Sequence, residues 1–133
     1  MVPNDLWEDR MLQDVYPKLT LEIMDLVGNK WTLLLVYQLA ERTQRFSELR
    51  RNMAPISQKM LTQKLRELER YGMVDRFVWP STPPKVEYAL TDLGRSFLGA
   101  ASVICDWTRG NVEELAAARA SFDAAAQEAL SAA

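Results

Sequence analysis

Residues 45–72, RFSELRRNMAPISQKMLTQKLRELERYG, constrain the fold more than any other part of the chain. They hold two short amphipathic segments joined by a Pro-containing corner. In the first, Phe46, Leu49 and Met53 share one helical face, with Ser47 the expected N-cap and Glu48 in the favourable first turn. Ala54-Pro55-Ile56 makes the corner, and Ser57 is placed to cap the second segment. There Leu61, Leu65 and Leu68 recur at i, i+4 and i+7, with Ile56 and Met60 at the margin. The opposite face holds Gln58, Lys59, Thr62, Gln63 and Arg66, and Gly72 is the expected stop. From Arg42 to Arg70 eight Lys or Arg stand against three acids, Glu48, Glu67 and Glu69, in a chain of net charge −2. Two helices with a basic second member have the pattern of a helix-turn-helix, which lays its second helix in a DNA major groove.

The segments on either side turn that pair into part of a larger pattern. After Gly72 the apolar period changes from helical to alternating. MVDRFVW (73–79) and KVEYALT (85–91) read as strands, linked by the stiff loop Pro80-Ser81-Thr82-Pro83-Pro84. A β-hairpin directly after the second helix is the wing of a winged helix. Before the pair, Asn29 is placed to cap a helix over KWTLLLVYQLAE (30–41), apolar nearly all round and therefore expected to be central and buried. Upstream, Asn4 is the expected cap of a helix over residues 4–15 that Pro17 ends; Leu19, Ile23, Leu26 and Val27 mark the next, closed by Gly28. Downstream, Thr91 is placed to cap a long helix to about Arg109, with Leu93, Phe97, Ala101 and Ile104 on one face. An alanine-rich last helix follows Gly110-Asn111, with high helix propensity and few large apolar groups to bury. The expected fold is mainly α with a small β-hairpin wing.

Composition removes most other classes. With no histidine, the commonest general base, the Ser-His and Cys-His nucleophile arrangements and most Zn sites are all absent. No Gly-rich phosphate loop or carboxylate cluster is seen, so neither catalytic nor metal residues are expected, and no cofactor. The longest apolar run, Leu33–Tyr37, is too short to span a membrane, and the acidic N-terminus does not read as a signal peptide. The single cysteine, Cys105, cannot form an intrachain disulfide, which fits a cytoplasmic protein; a buried small side chain is its expected role. Charge is uneven along the chain. Residues 1–25 hold six acids and two bases, and residues 111–133 four acids and one base, so a positive middle lies between negative ends.

The runs LVGNKW (26–31), FSELRR (46–51), ISQKMLTQKLRELERYGMVDR (56–76) and PPKVEYALTDLG (83–94) resemble the HxlR-type family of bacterial winged-helix regulators, over about residues 18–109. The resemblance implies a homodimeric, DNA-binding transcriptional regulator, repression being the family's usual mode. The whole chain then forms one winged helix-turn-helix domain, with residues 18–109 as its core and residues 1–17 and 110–133 as dimerisation extensions. The chain departs from the family at one place. Many members carry a redox-sensing Cys-Pro at the start of the helix before the Lys-Trp motif, where this chain has Lys18 and Leu19. That role has no residue to carry it.

The expected DNA contacts follow from the same frame. Ser57, Gln58, Lys59, Thr62 and Gln63 would reach base edges: Gln can bond bidentately to adenine, and Lys to guanine. Arg66 and Arg70 would touch phosphate or pair with Glu67 and Glu69. Arg45, Arg50 and Arg51 from the first helix, with Ser81, Thr82 and Lys85 from the wing, would lie over the backbone. Trp7, Met11, Val15, Trp107, Leu115 and Phe122 are the expected dimer contacts. A small-molecule effector is a further candidate partner, with Tyr16, Tyr37 and Trp107 lining a cavity between subunits. Two rival readings use the same fold: a winged helix that binds protein, and an effector sensor whose DNA contact is secondary.

Overall fold

The computed structural model describes the backbone of residues 10–132 and the side chains of residues 16–132. Among the described residues six helices and three short strands follow in order: α1 (Arg10–Val27), α2 (Lys30–Glu41), β1 (Gln44–Arg45), α3 (Phe46–Asn52), α4 (Gln58–Arg70), β2 (Val74–Trp79), β3 (Lys85–Leu90), α5 (Asp92–Gly110) and α6 (Val112–Ala132). They fall into two compact units, one ending at Leu98 and the other beginning at Gly99.

In the first unit the core is built from the expected apolar faces. Leu35, Val36 and Leu39 of α2, Leu49 of α3 and Leu61, Leu65 and Leu68 of α4 are all at most 2% exposed. Leu26, Met53, Ile56, Met73, Val74, Leu90 and Phe97 complete the cluster. Asn29 caps α2 as expected, its side-chain oxygen accepting the N–H groups of Trp31 (3.0 Å) and Thr32 (3.2 Å). Asn29→Ala leaves both donors unmet and is expected to lower stability by about 1 kcal/mol, read as a shift in the urea midpoint.

α4, which presents the basic face, is fixed at both ends. Ser57 Oγ accepts the Met60 N–H at its start (3.0 Å). At its end Gly72 adopts φ +74°, a conformation that costs glycine nothing. Its N–H bonds to the Glu69 carbonyl (3.0 Å), and the Met73 N–H to the Leu68 carbonyl (2.9 Å), which closes the helix and turns the chain into β2. Thr91 then locks this turn to α5. Its N–H donates to the Met73 carbonyl (3.0 Å) and its hydroxyl to the Gly72 carbonyl (2.6 Å), while its Oγ1 accepts the Gly94 N–H (3.0 Å).

The sheet has the order β1-β3-β2, antiparallel throughout. The hairpin β2–β3 was expected; β1 was not. Two residues are too few to show a period, yet they pair Gln44 with Tyr88 and Arg45 with Glu87. Gln44 is 2% exposed; its side-chain amide donates to the Gln38 carbonyl (2.7 Å) and accepts from Asn52 (3.1 Å), tying α2 and α3 to the sheet.

Several expectations change. Pro17 does not end a helix but lies inside α1, which runs on to Val27. A proline removes one helical bond locally, but Leu26 is buried and Ile23 and Val27 pack on the core, so tertiary burial carries α1 through it. Ser47 is not the cap of α3. The cap position is Arg45, two residues earlier, so the helix begins at Phe46, and Glu48 reaches back to accept the Arg45 N–H (3.3 Å). α2 is not buried all round, since Leu34 and Tyr37 are exposed on its far side. Leu93 on α5 is exposed too, because the inward face of the helix is centred on Gly94, Phe97 and Leu98, and Leu93 falls at its outer edge. The expected Asn4 cap lies outside the described residues.

In the second unit, the remainder of α5 continues to Gly110 and α6 has no buried residue. Ile104, expected on the buried face of α5, is 52% exposed, as befits a helix face with little packed against it within this unit. Cys105 is half-buried rather than buried, and is a free thiol.

Candidate nucleic-acid interface

Of the eight cations between Arg42 and Arg70, the fold uses two for itself. Arg42 Nη1 lies 2.8 Å from Glu48 Oε2, and Lys64, 9% exposed, places its Nζ 3.3 Å from Glu67 Oε2. The Arg42 hydrogen bond, helped by the Arg45 N–H, holds the Glu48 carboxyl below its ordinary pKa. Glu67 therefore pairs with Lys64, not with Arg66 or Arg70 as one expectation had it. Lys64 occupies the inner flank of α4 beside Leu61, Leu65 and Leu68, whereas Arg66 and Arg70 point outward. Arg70 lies over the Tyr71 ring, 5.5 Å from its centroid. Among the described residues, Arg45, Arg50, Arg51, Lys59, Arg66 and Arg70 have no ion pair, and all are exposed. With Glu48 and Glu67 paired to Arg42 and Lys64, the segment's excess of five positive charges is carried by six exposed cations against Glu69.

These cations sit on linked concave surfaces within the first unit. Gln58, Lys59, Thr62, Gln63 and Arg66 line one face of α4 together with Glu67 and Arg70. Ser57 stands at its N-terminal end; its oxygen is engaged in the cap, but its hydroxyl proton is free to donate. Arg50 and Arg51 share a second groove with Phe46, Ser47 and Gln58, which joins α3 to the start of α4. A third joins Arg45, Phe46 and Ser47 to the wing residues Ser81, Thr82, Pro83, Pro84, Lys85 and Val86. The β1–β3 pairing makes this last surface, since it sets Arg45 beside Glu87 of β3, two residues from the start of that strand. Ser81 differs from the others: its hydroxyl donates to the Pro83 carbonyl at 2.7 Å and shapes the loop, so its proton is already used.

A fourth groove runs between α4 and the sheet, and it includes Arg76 and Tyr88, which were not among the expected site residues. Both were hidden by strand phase. Arg76 pairs in register with Tyr88, and neither its alternation nor its charge tells which sheet face meets α4.

The expected dimer residues are distributed differently. Trp7 and the side chains of Met11 and Val15 lie outside the described residues. Trp107, Leu115 and Phe122 are on the second unit and exposed, at 60%, 42% and 73%. Of the expected effector residues, Tyr16 is half-buried and Tyr37 exposed in the first unit, with Trp107 in the second. None of the three lines any of the four grooves described above.

A helical core flanked by a small three-stranded sheet, presenting a basic helix beside a β-hairpin, defines a winged helix-turn-helix. A sequence profile of HxlR-like helix-turn-helix proteins matches residues 26–116. The chain is 41% identical over 92 residues to the uncharacterized HTH-type transcriptional regulator YtcD of Bacillus subtilis, covering 69% of this chain and 73% of YtcD. It is 40% identical over 98 residues to the uncharacterized HTH-type transcriptional regulator YtfH of Escherichia coli, covering 74% and 78%. Among solved structures, diamide-treated YodB from B. subtilis superposes with a TM-score of 0.64 at 35% identity, covering 71% of this chain and 92% of YodB. The chain belongs to the HxlR-like helix-turn-helix family. It is a DNA-binding transcriptional regulator, a class without enzymatic activity.

Proposed function

We propose that the protein is a homodimeric repressor that reads a pseudo-palindromic operator through the outward face of α4. The supporting observation is the set of exposed cations without ion pairs that runs from α4 across α3 to the wing. In this reading Ser57, Gln58, Lys59, Thr62 and Gln63 reach base edges, and Arg66 contacts phosphate. Arg45, Arg50, Arg51, Thr82 and Lys85 position the backbone, with Ser81 shaping the wing tip. Such a regulator works in the cytoplasm, where its DNA is, and no helix among the described residues is long and apolar enough to cross a membrane.

Dimerisation is supported by the apolar groups that the fold leaves uncovered. Leu21 and Met24 of α1 are 65% and 62% exposed, as Phe122 of α6 is at 73%. Leu21 and Met24 are neighbours one turn apart on α1, and adjoining apolar groups left in water mark a partner surface. In this reading residues 18–109 are the DNA-binding core and both ends are dimerisation extensions, with Leu21 and Met24 adding to the interface from the core. Two α4 helices related by a two-fold axis would then read half-sites about 10 bp apart, and a bound dimer would block polymerase.

Salt dependence tests the reading. DNA binding through these cations predicts a log K against log salt slope of about −0.9 per phosphate neutralised. Arg50→Ala should weaken every duplex alike and flatten the slope by about one unit per lost contact. A shallow slope, unchanged in Arg50→Ala, would instead fit a winged helix that binds protein.

A further inference from the structure

Building on the reading of α4 as the recognition helix, we propose that the groove between α4 and the sheet seats the sugar–phosphate strand dividing the major groove from the adjacent minor groove. Arg76 and the Tyr88 hydroxyl are then phosphate contacts, and Glu69 limits how far along α4 that strand can lie.

The geometry of duplex DNA makes such a seat necessary. Neighbouring major and minor grooves are separated by one backbone strand. A protein that places a helix in one groove and a hairpin over the next must straddle that strand, which then passes between the two elements. In this fold the space between α4 and the wing is a groove whose α4 wall is Gln58, Thr62, Arg66 and Glu69 with Leu65 at its floor, and whose opposite wall is Arg76, Val86 and Tyr88 of the sheet beside Phe46. Gln58, Thr62 and Arg66 also line the outward face of α4, so they form the ridge between the base-reading surface and this groove.

The charges in the groove suit a polyanion. Arg76 and Arg66 are both exposed and have no ion pair among the described residues. Arg76 shares its strand phase with buried Val74 and pairs with Tyr88, so it stands on the sheet face turned toward α4. The Arg76 guanidinium makes no ion pair or hydrogen bond among the described residues, and a phosphate gives its planar fork a matching acceptor pair. Glu69 follows Arg66 by three residues, one turn along the same side of the helix. Phosphate is drawn to the Arg66–Arg76 end and repelled from the Glu69 end.

The test uses the full-length protein, an operator duplex and a series of duplexes each with one phosphate replaced by a neutral methylphosphonate. Wild type should lose affinity on the order of 10-fold at one particular phosphate per half-site, the size expected for one charge-assisted contact. Arg76→Gln should lose about the same on the natural duplex and lose nothing more when that phosphate is neutralised. Arg76→Lys should recover part of the loss, and Glu69→Gln should tighten binding to operator and random duplex alike. If Arg76→Gln binds the natural duplex like wild type, or if its loss multiplies with every methylphosphonate, the assignment is wrong. Lys59→Ala in the same series separates the two readings. A lost operator preference in Lys59→Ala beside an unaffected Arg76→Gln sinks the groove alone, whereas two unaffected variants sink the α4 reading as well.

Discussion

Gly94→Ala is expected to destabilise the protein by about 3 kcal/mol, lowering Tm by on the order of 10 °C. A methyl group at this position would overlap the Met73 carbonyl oxygen and stand 2.5 Å from Leu90 Cδ1 and 2.9 Å from Leu90 Cγ. The leucine side chain can turn aside. The carbonyl cannot move freely, because it accepts the Thr91 N–H at 3.0 Å and belongs to the turn that closes α4. Relief therefore means parting α5 from the end of α4. DNA affinity should fall with stability, and both should recover together at lower temperature. Gly99→Ala is the matching control. It lies in the same helix, nothing stands within 4 Å of its added methyl, and it should stabilise by about 0.5–1 kcal/mol. Equal effects at both positions in thermal denaturation would show that the close approach at Gly94 is not what holds these elements.

The double variant Lys59→Ala/Gln63→Ala should have the largest effect on sequence discrimination while leaving the fold intact. Both side chains are exposed on the outward face of α4 and neither makes an ion pair or hydrogen bond among the described residues. Their removal costs stability little, since alanine is a good helix former. Each side chain able to read a base edge contributes about 1–3 kcal/mol of discrimination, and a dimer presents each one twice. The ratio of operator to random-duplex affinity should fall at least 100-fold, while binding to random DNA falls far less. Competition binding at fixed salt measures that ratio. An unchanged ratio would remove the outward face of α4 from base reading.

The features legible in the sequence share a physical cause. Leu61, Leu65 and Leu68 announced the buried face of α4 because a helix repeats its neighbours at fixed spacing, and all three are in the core. Asn29, Ser57, Gly72 and Thr91 announced helix ends because capping is local chemistry, and all four act at those ends. What stayed hidden depends on contacts distant in sequence. β1 is two residues that become a strand only because β3 lies beside them. Pro17 would end an isolated helix and does not end one held down by Leu26. The exposure of Leu34 and Tyr37 could not be read from α2 itself, whose apolar character runs all the way round. Arg76 escaped notice for the same reason as β1: the side of the sheet it occupies is set by packing against α4.

In vitro selection of bound duplexes, run with wild type and with Lys59→Ala/Gln63→Ala at two salt concentrations, tests the central claim most directly. Wild type should enrich two inverted half-sites centred about 10 bp apart, with tighter selection as salt rises and non-specific binding fades. The double variant should still retain duplex at low salt yet lose base preference within each half-site. Enrichment of the same motif by both proteins, or of no motif by wild type at either salt, would contradict the claim that α4 reads the operator.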